Sequence, residues 1–139
     1  MCSNGNCTCP TNQLLCGSGC GLAAAQCMSP FTEYAVTVAN SLIDINPAPD
    51  GNLWSTEAAN GKLARITTSG VITEFTVGGA PQAIRAGPDG NIWFTDSGTN
   101  KIGVLNTTGT GLIEYQATGP FGPNQIVSGP PGTGTLWFH

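Results

Sequence analysis

From residue 42 onward the apolar residues fall in short runs of about five, separated by Gly, Pro, Asn, Asp and Ser. Runs of that length, rich in Val, Ile, Phe, Trp and Thr and bounded by turn residues, predict strands. One set lies at Leu42–Ile45, Asn52–Thr56, Lys62–Ile66 and Ile72–Val77. A second set repeats it at Gln82–Ala86, Asn91–Thr95, Lys101–Leu105 and Ile113–Tyr115. Upstream, Phe31–Val36 alternates with period two and matches the fourth strand of each set, with Glu33, Glu74 and Glu114 spaced by 41 and 40 residues. Downstream, the pattern resumes at about Asn124 and runs to His139.

The second strand of each set carries the clearest repeat. Pro49-Asp50-Gly51-Asn52-Leu53-Trp54-Ser55-Thr56-Glu57 returns as Pro88-Asp89-Gly90-Asn91-Ile92-Trp93-Phe94-Thr95-Asp96. An altered copy, Gly129-Pro130-Pro131-Gly132-Thr133-Gly134-Thr135-Leu136-Trp137-Phe138-His139, follows. The tryptophans stand 39 and 44 residues apart. Four strands per unit of about forty residues is the signature of a β-propeller blade. The predicted fold is therefore all-β, a partial propeller in which Trp and the branched side chains fill the space between blades. Asp50-Gly51 and Asp89-Gly90 predict tight hairpins with positive φ at both residues. The strands add up to about 2.75 blades, against the typical ~4–8 of a closed ring. The expectation is a fragment of a longer protein, or a piece that completes a ring by self-association.

Composition narrows the partners. Four basic and eight acidic residues give a net charge of −4, and Lys62, Arg65, Arg85 and Lys101 are too scattered to track phosphates, so nucleic acid is excluded. No apolar run approaches the roughly 20 residues of a membrane-spanning helix.

Residues 1–30 form a separate predicted module. They contain no charged residue and all six cysteines, Cys2, Cys7, Cys9, Cys16, Cys20 and Cys27. So short a segment builds no core of its own, which predicts a disulfide-bonded module. The sequence leaves the pairing open. Zinc is the rival: Cys16 and Cys20 have a ligand spacing, but Cys7 and Cys9 do not and no histidine is near. Disulfides imply a secreted or periplasmic setting, although no signal peptide is visible at the start. Asn6-Cys7-Thr8 and Asn106-Thr107-Thr108 have the form of glycosylation sequons.

The units G-P-D-G-N-[IL]-W-F-T and N-K-I-G, followed by [VI]-I-T-E-F, resemble the repeats of virginiamycin B lyase (streptogramin lyase) over residues 31–139. The resemblance implies a seven-bladed propeller that linearises cyclic depsipeptides by Mg²⁺-dependent C–O elimination. It also implies functional histidines in P-H-x-I segments of later blades. A base must take an α-proton there and a metal must steady the developing enolate. This sequence departs from that pattern. Gln82 and Asn124 stand at the histidine position, in Pro81-Gln82-Ala83-Ile84 and Pro123-Asn124-Gln125-Ile126, and the first unit offers Ile43. An amide is no general base, but it can hydrogen-bond a ligand.

Other candidates carry less. Glu57 and Asp96, at equivalent positions after the Trp strands, are candidate ligands for a hard cation such as Mg²⁺, with a solvated or turn-capping carboxylate as the plainer alternative. His139 aligns with Thr56 and Thr95 and not with the family's histidine. Gly129–Thr135 has the look of a phosphate loop but lacks its lysine and precedes no helix. The regular Trp spacing marks core and not a carbohydrate platform. The expectation is a binding or scaffold propeller for a small molecule, peptide or protein. Its alternative is the N-terminal part of a lyase.

Overall fold

The computed structural model describes residues 42–139 and the backbone of 2–3 and 6–7. The chain divides into two compact units, Met1–Ala35 and Val36–His139. In the first, strands β1 (Cys2–Ser3) and β2 (Asn6–Cys7) pair antiparallel with Cys2 opposite Cys7. The remaining cysteines and Phe31–Val36 lie outside the described residues, and with them the disulfide and outer-strand expectations.

The second unit is built of antiparallel sheets. β3 (Leu42–Pro47), β4 (Leu53–Glu57), β5 (Lys62–Ile66) and β6 (Ile72–Thr76) form one four-stranded sheet in sequence order. β7 (Pro81–Ala86), β8 (Ile92–Asp96), β9 (Lys101–Leu105) and β10 (Ile113–Gln116) form the second. β11 (Ile126–Ser128) and β12 (Leu136–Phe138) make a hairpin. The first strands lie side by side, β3 beside β7 and β7 beside β11. This is the blade architecture expected from the repeat.

Each blade presents one face forward and one back, because alternate side chains of a strand point to opposite sides. Trp54 and Leu63 are fully buried at 0% exposure, with Ile84 and Phe94 at 0% and Ile92 at 1% packed in the same cluster. Trp54 stacks on Phe75 with ring centroids 5.3 Å apart. Arg65 lies over Phe75 at 5.5 Å and reaches across to the Thr107 carbonyl at 3.1 Å, joining the first blade to the second.

The Asp-Gly turns differ from expectation. Gly51 and Gly90 take positive φ (76° and 77°), but the only non-glycine residue that does so among those described is Asn100. Each turn has three residues: Gly51 N–H donates to the Ala48 carbonyl at 3.1 Å and Ala48 N–H to the Asn52 carbonyl at 3.0 Å, a bond geometry that Gly90, Gly87 and Asn91 repeat. The aspartate is thereby released from the backbone requirement of a two-residue hairpin and serves as an acceptor.

Register irregularities break the β3–β4 pairing between Leu42 and Ile45 and the β7–β8 pairing between Pro81 and Ile84. A bulge leaves backbone N–H groups without ladder partners. The threonine of the Trp strand supplies them: Thr56 Oγ1 accepts from Asp44 N–H at 3.1 Å, and Thr95 Oγ1 from Ala83 N–H at 3.0 Å.

Candidate functional site

The inner strands meet at a polar cleft of about 280 Å³ whose lining includes Asp44, Gln82, Arg85, Asn124, Gln125 and Val127. Ile43 of β3, Gln82 of β7 and Asn124, two residues before β11, are equivalent positions of the repeat and all line it. Gln82 is half-buried and Asn124 exposed. The structure thus brings the two amide candidates together.

Two residues that sequence reasoning passed over shape the cleft. Asp44 Oδ2 accepts from Arg85 NH1 at 2.7 Å and from the Ile84 N–H at 3.1 Å, while Oδ1 accepts from its neighbour Ile45 N–H at 2.9 Å. An aspartate on one blade therefore holds the inner strand of the next, at the bulge. Thr56 adds a second tie, donating its hydroxyl to the Gln82 carbonyl at 2.7 Å. The signal was present: Asp44 and Arg85 are the one charged residue of each inner strand, in consecutive repeats. Pairing them needed knowledge of which strands are adjacent.

The carboxylate candidates part company. Asp96 and Glu57 are both 0% exposed. Asp96 caps its own loop and the segment before β7, accepting from Ala80 N–H at 2.7 Å, Gly98 N–H at 3.0 Å, Thr99 N–H at 3.3 Å and the Thr99 hydroxyl at 2.5 Å. Neither Glu57 oxygen has a hydrogen-bond partner of normal geometry among the described residues. Burial pushes its carboxyl pKa up, with Glu74 adding to the rise and Asn60 and Lys62 opposing it. No group of three Asp, Glu, His or Cys side chains gathers among the described residues, and Asp96 already accepts four hydrogen bonds. The described residues therefore do not fit a carboxylate-built Mg²⁺ site, which takes several oxygen ligands.

Glu74 and Glu114 each pair with a lysine of the neighbouring strand, Lys62 at 2.6 Å and Lys101 at 2.8 Å. His139 places Nε2 3.2 Å from Gln125 Oε1 beside the inner strand, in the register position of Thr56 and Thr95. Gly129–Thr135 is the loop of the β11–β12 hairpin, closed by Gly129 N–H to the Thr135 carbonyl at 2.8 Å. Asn106 is a turn residue whose Oδ1 accepts from the Thr108 and Thr110 N–H groups at 3.1 and 2.9 Å.

Four-stranded blades arranged around adjacent inner strands define a β-propeller protein. Residues 20–139 match the Virginiamycin B lyase family, and the chain belongs to that family. Among solved structures it is similar to the selenomethionine-substituted virginiamycin B lyase from Staphylococcus aureus, at 35% identity and a TM-score of 0.71, covering 77% of this chain and 37% of that one. A catalytically inactive virginiamycin B lyase from the same organism, with quinupristin, matches at 35% identity and a TM-score of 0.70, again over 77% and 37%. A streptogramin B lyase structure matches at 34% and 0.70 over the same shares. The chain thus spans 37% of the length of these relatives. No curated protein matches it.

Proposed function

We propose that this chain is an exported binding or scaffold module that takes a small ligand on the inner-strand face. The observation that carries the reading is the placement of Gln82 and Asn124 in the polar cleft, at the position where the family resemblance implies histidine. An amide offers one acceptor and two donors but takes up no proton at neutral pH, so the cleft is suited to holding a ligand and not to proton abstraction. Arg85 NH1 is taken up by Asp44 and the Ile84 carbonyl, which leaves the N–H groups of Nε and NH2 as further donors. Export rests on the six cysteines of residues 1–30.

Quinupristin, seen with an inactive relative, is the probe. Titration calorimetry should give saturable binding that weakens in Gln82→Ala and Asn124→Ala. The absence of binding by the native chain would sink the reading. The second reading, part of a C–O lyase, is favoured by membership of the family. Elimination moves the α-proton to a base and releases the ester oxygen as carboxylate, so the mass does not change. Ring opening is therefore followed by chromatographic retention and fragmentation pattern with Mg²⁺ present. Turnover by this chain would decide for the lyase.

A further inference from the structure

The paired strands β1 and β2 set two of the six cysteines opposite one another. Their register matches Ser3 with Asn6 and Cys2 with Cys7. Only two residues separate the strands, and they are Asn4-Gly5. Asn-Gly is the sequence that two-residue hairpin loops favour, because a type I′ turn needs positive φ at both positions. Local sequence and strand register thus specify the same hairpin by two independent routes.

The loop length fixes the place of each pair in the ladder. In a two-residue hairpin the residues flanking the loop exchange both backbone hydrogen bonds, and the next pair outward exchanges none. Ser3 and Asn6 hold the first position, Cys2 and Cys7 the second. Opposed residues of the second kind have Cα atoms about 4.5 Å apart. A disulfide joins Cα atoms about 4.4–6.8 Å apart. The register therefore brings Cys2 and Cys7 within the span of an S–S bond without moving the backbone.

We propose that Cys2 and Cys7 form a disulfide across this hairpin. The bond lies before residue 20, where the family match begins. Its formation is a two-electron oxidation by a low-molecular-weight disulfide such as oxidised glutathione. One cysteine thiolate attacks that disulfide and displaces one thiolate from it. The second cysteine attacks the mixed disulfide and displaces the other. The two protons and two electrons of the cysteine thiols thus end on two molecules of reduced glutathione. The bond leaves Cys9, Cys16, Cys20 and Cys27 with three pairings among themselves, in place of the fifteen open to six cysteines. It also removes Cys7 from any zinc ligand set. It is independent of what the inner-strand cleft binds and shares only an oxidising setting with the proposed export.

The test uses the full chain, folded in a glutathione redox buffer. Remaining thiols are capped with iodoacetamide under denaturing conditions and located by mass spectrometry. In the native chain Cys2 and Cys7 should both escape alkylation. Cys2→Ser should add one alkyl group, at Cys7, and Cys7→Ser should add one at Cys2. A new alkyl group at any other cysteine, or none, overturns the proposal. So does a native chain alkylated at either position. Digestion of the unreduced native chain at low pH needs no variant and so is proof against one that misfolds. Its linked peptides should hold Cys2 bonded to Cys7, and Cys2 bonded to any other cysteine overturns the proposal.

Discussion

Trp54 donates its indole Nε1–H to Asp50 Oδ2 at 3.2 Å, four residues back across the turn. The same carboxylate accepts from the Asn52 N–H at 3.1 Å and the Asn52 amide at 2.8 Å. Asp89 repeats all of this with Asn91 and Trp93. The D-G-N-x-W motif is thus one hydrogen-bonded unit. Aspartate closes the turn and also fixes the edge of the ring whose body, in Trp54, is packed between blades.

Asp50→Ala should destabilise the protein by about 1–3 kcal/mol, because it strands the N–H of a fully buried indole. Asp89→Ala should cost less, about 0.5–1.5 kcal/mol, since Trp93 is only half-buried and water can replace the lost partner. Urea midpoints of the two variants check the order; equal losses would count against this role for the turn carboxylate.

The pH dependence has two limbs of opposite sign. Burial alone would raise the Asp50 carboxyl, but bonds from Asn52 and Trp54, together with nearby Arg65, outweigh it and bring its pKa below the ordinary 3.8. Asp89 is likewise below 3.8, burial being outweighed by bonds from Asn91 and Trp93. The folded state binds these protons less tightly, so the stability they contribute is complete above 3.8 and is lost as pH falls through the folded values. Thermal midpoints should drop on that acid limb, and by less in Asp50→Asn with Asp89→Asn.

Glu57 has the reverse sign. Its folded pKa lies above the ordinary 4.5, so the folded state holds the proton more tightly and ionisation costs stability as pH rises above 4.5. Glu57→Gln should raise the thermal midpoint at pH 7, and the gain should vanish below pH 4.5. A variant no more stable than the native chain at pH 7 would show that the buried carboxylate is satisfied.

Gly109 of the second blade sits against Phe75 of the first. It has φ of +81°, and a Cβ there would lie 1.9 Å from the Phe75 ring. Gly109→Ala should cost about 2–4 kcal/mol, combining backbone strain with overpacking. Gly90, with φ of +77° and nothing within 4 Å, should lose only the strain, about 1–2 kcal/mol, on the same change. Denaturation midpoints of both variants separate packing from conformation.

Thr56 serves the bulge and the blade contact together, accepting from Asp44 N–H and donating to the Gln82 carbonyl. Thr56→Val, nearly the same shape, should destabilise by about 1–3 kcal/mol, and Thr56→Ser by much less. If valine is tolerated as well as serine, the hydroxyl bonds contribute nothing.

The sequence by itself determined the architecture. Strand-length apolar runs, the forty-residue spacing of Trp54, Trp93 and Trp137 and the glycines of the turns specify four-stranded blades, because each is a local or periodic signal. It also put Gln82 and Asn124 at equivalent positions. What those positions face was decided by tertiary structure alone. Asp44 finds Arg85, and Thr56 finds the Gln82 carbonyl, across 41 and 26 residues of chain. Asp96 becomes a buried cap with four donors, while the equivalent Glu57 is buried with none of normal geometry among the described residues. These outcomes depend on which strand edges meet and how far a bulge turns an N–H out of the ladder. A repeat pattern carries no record of either, since it describes each blade and not the contact between two.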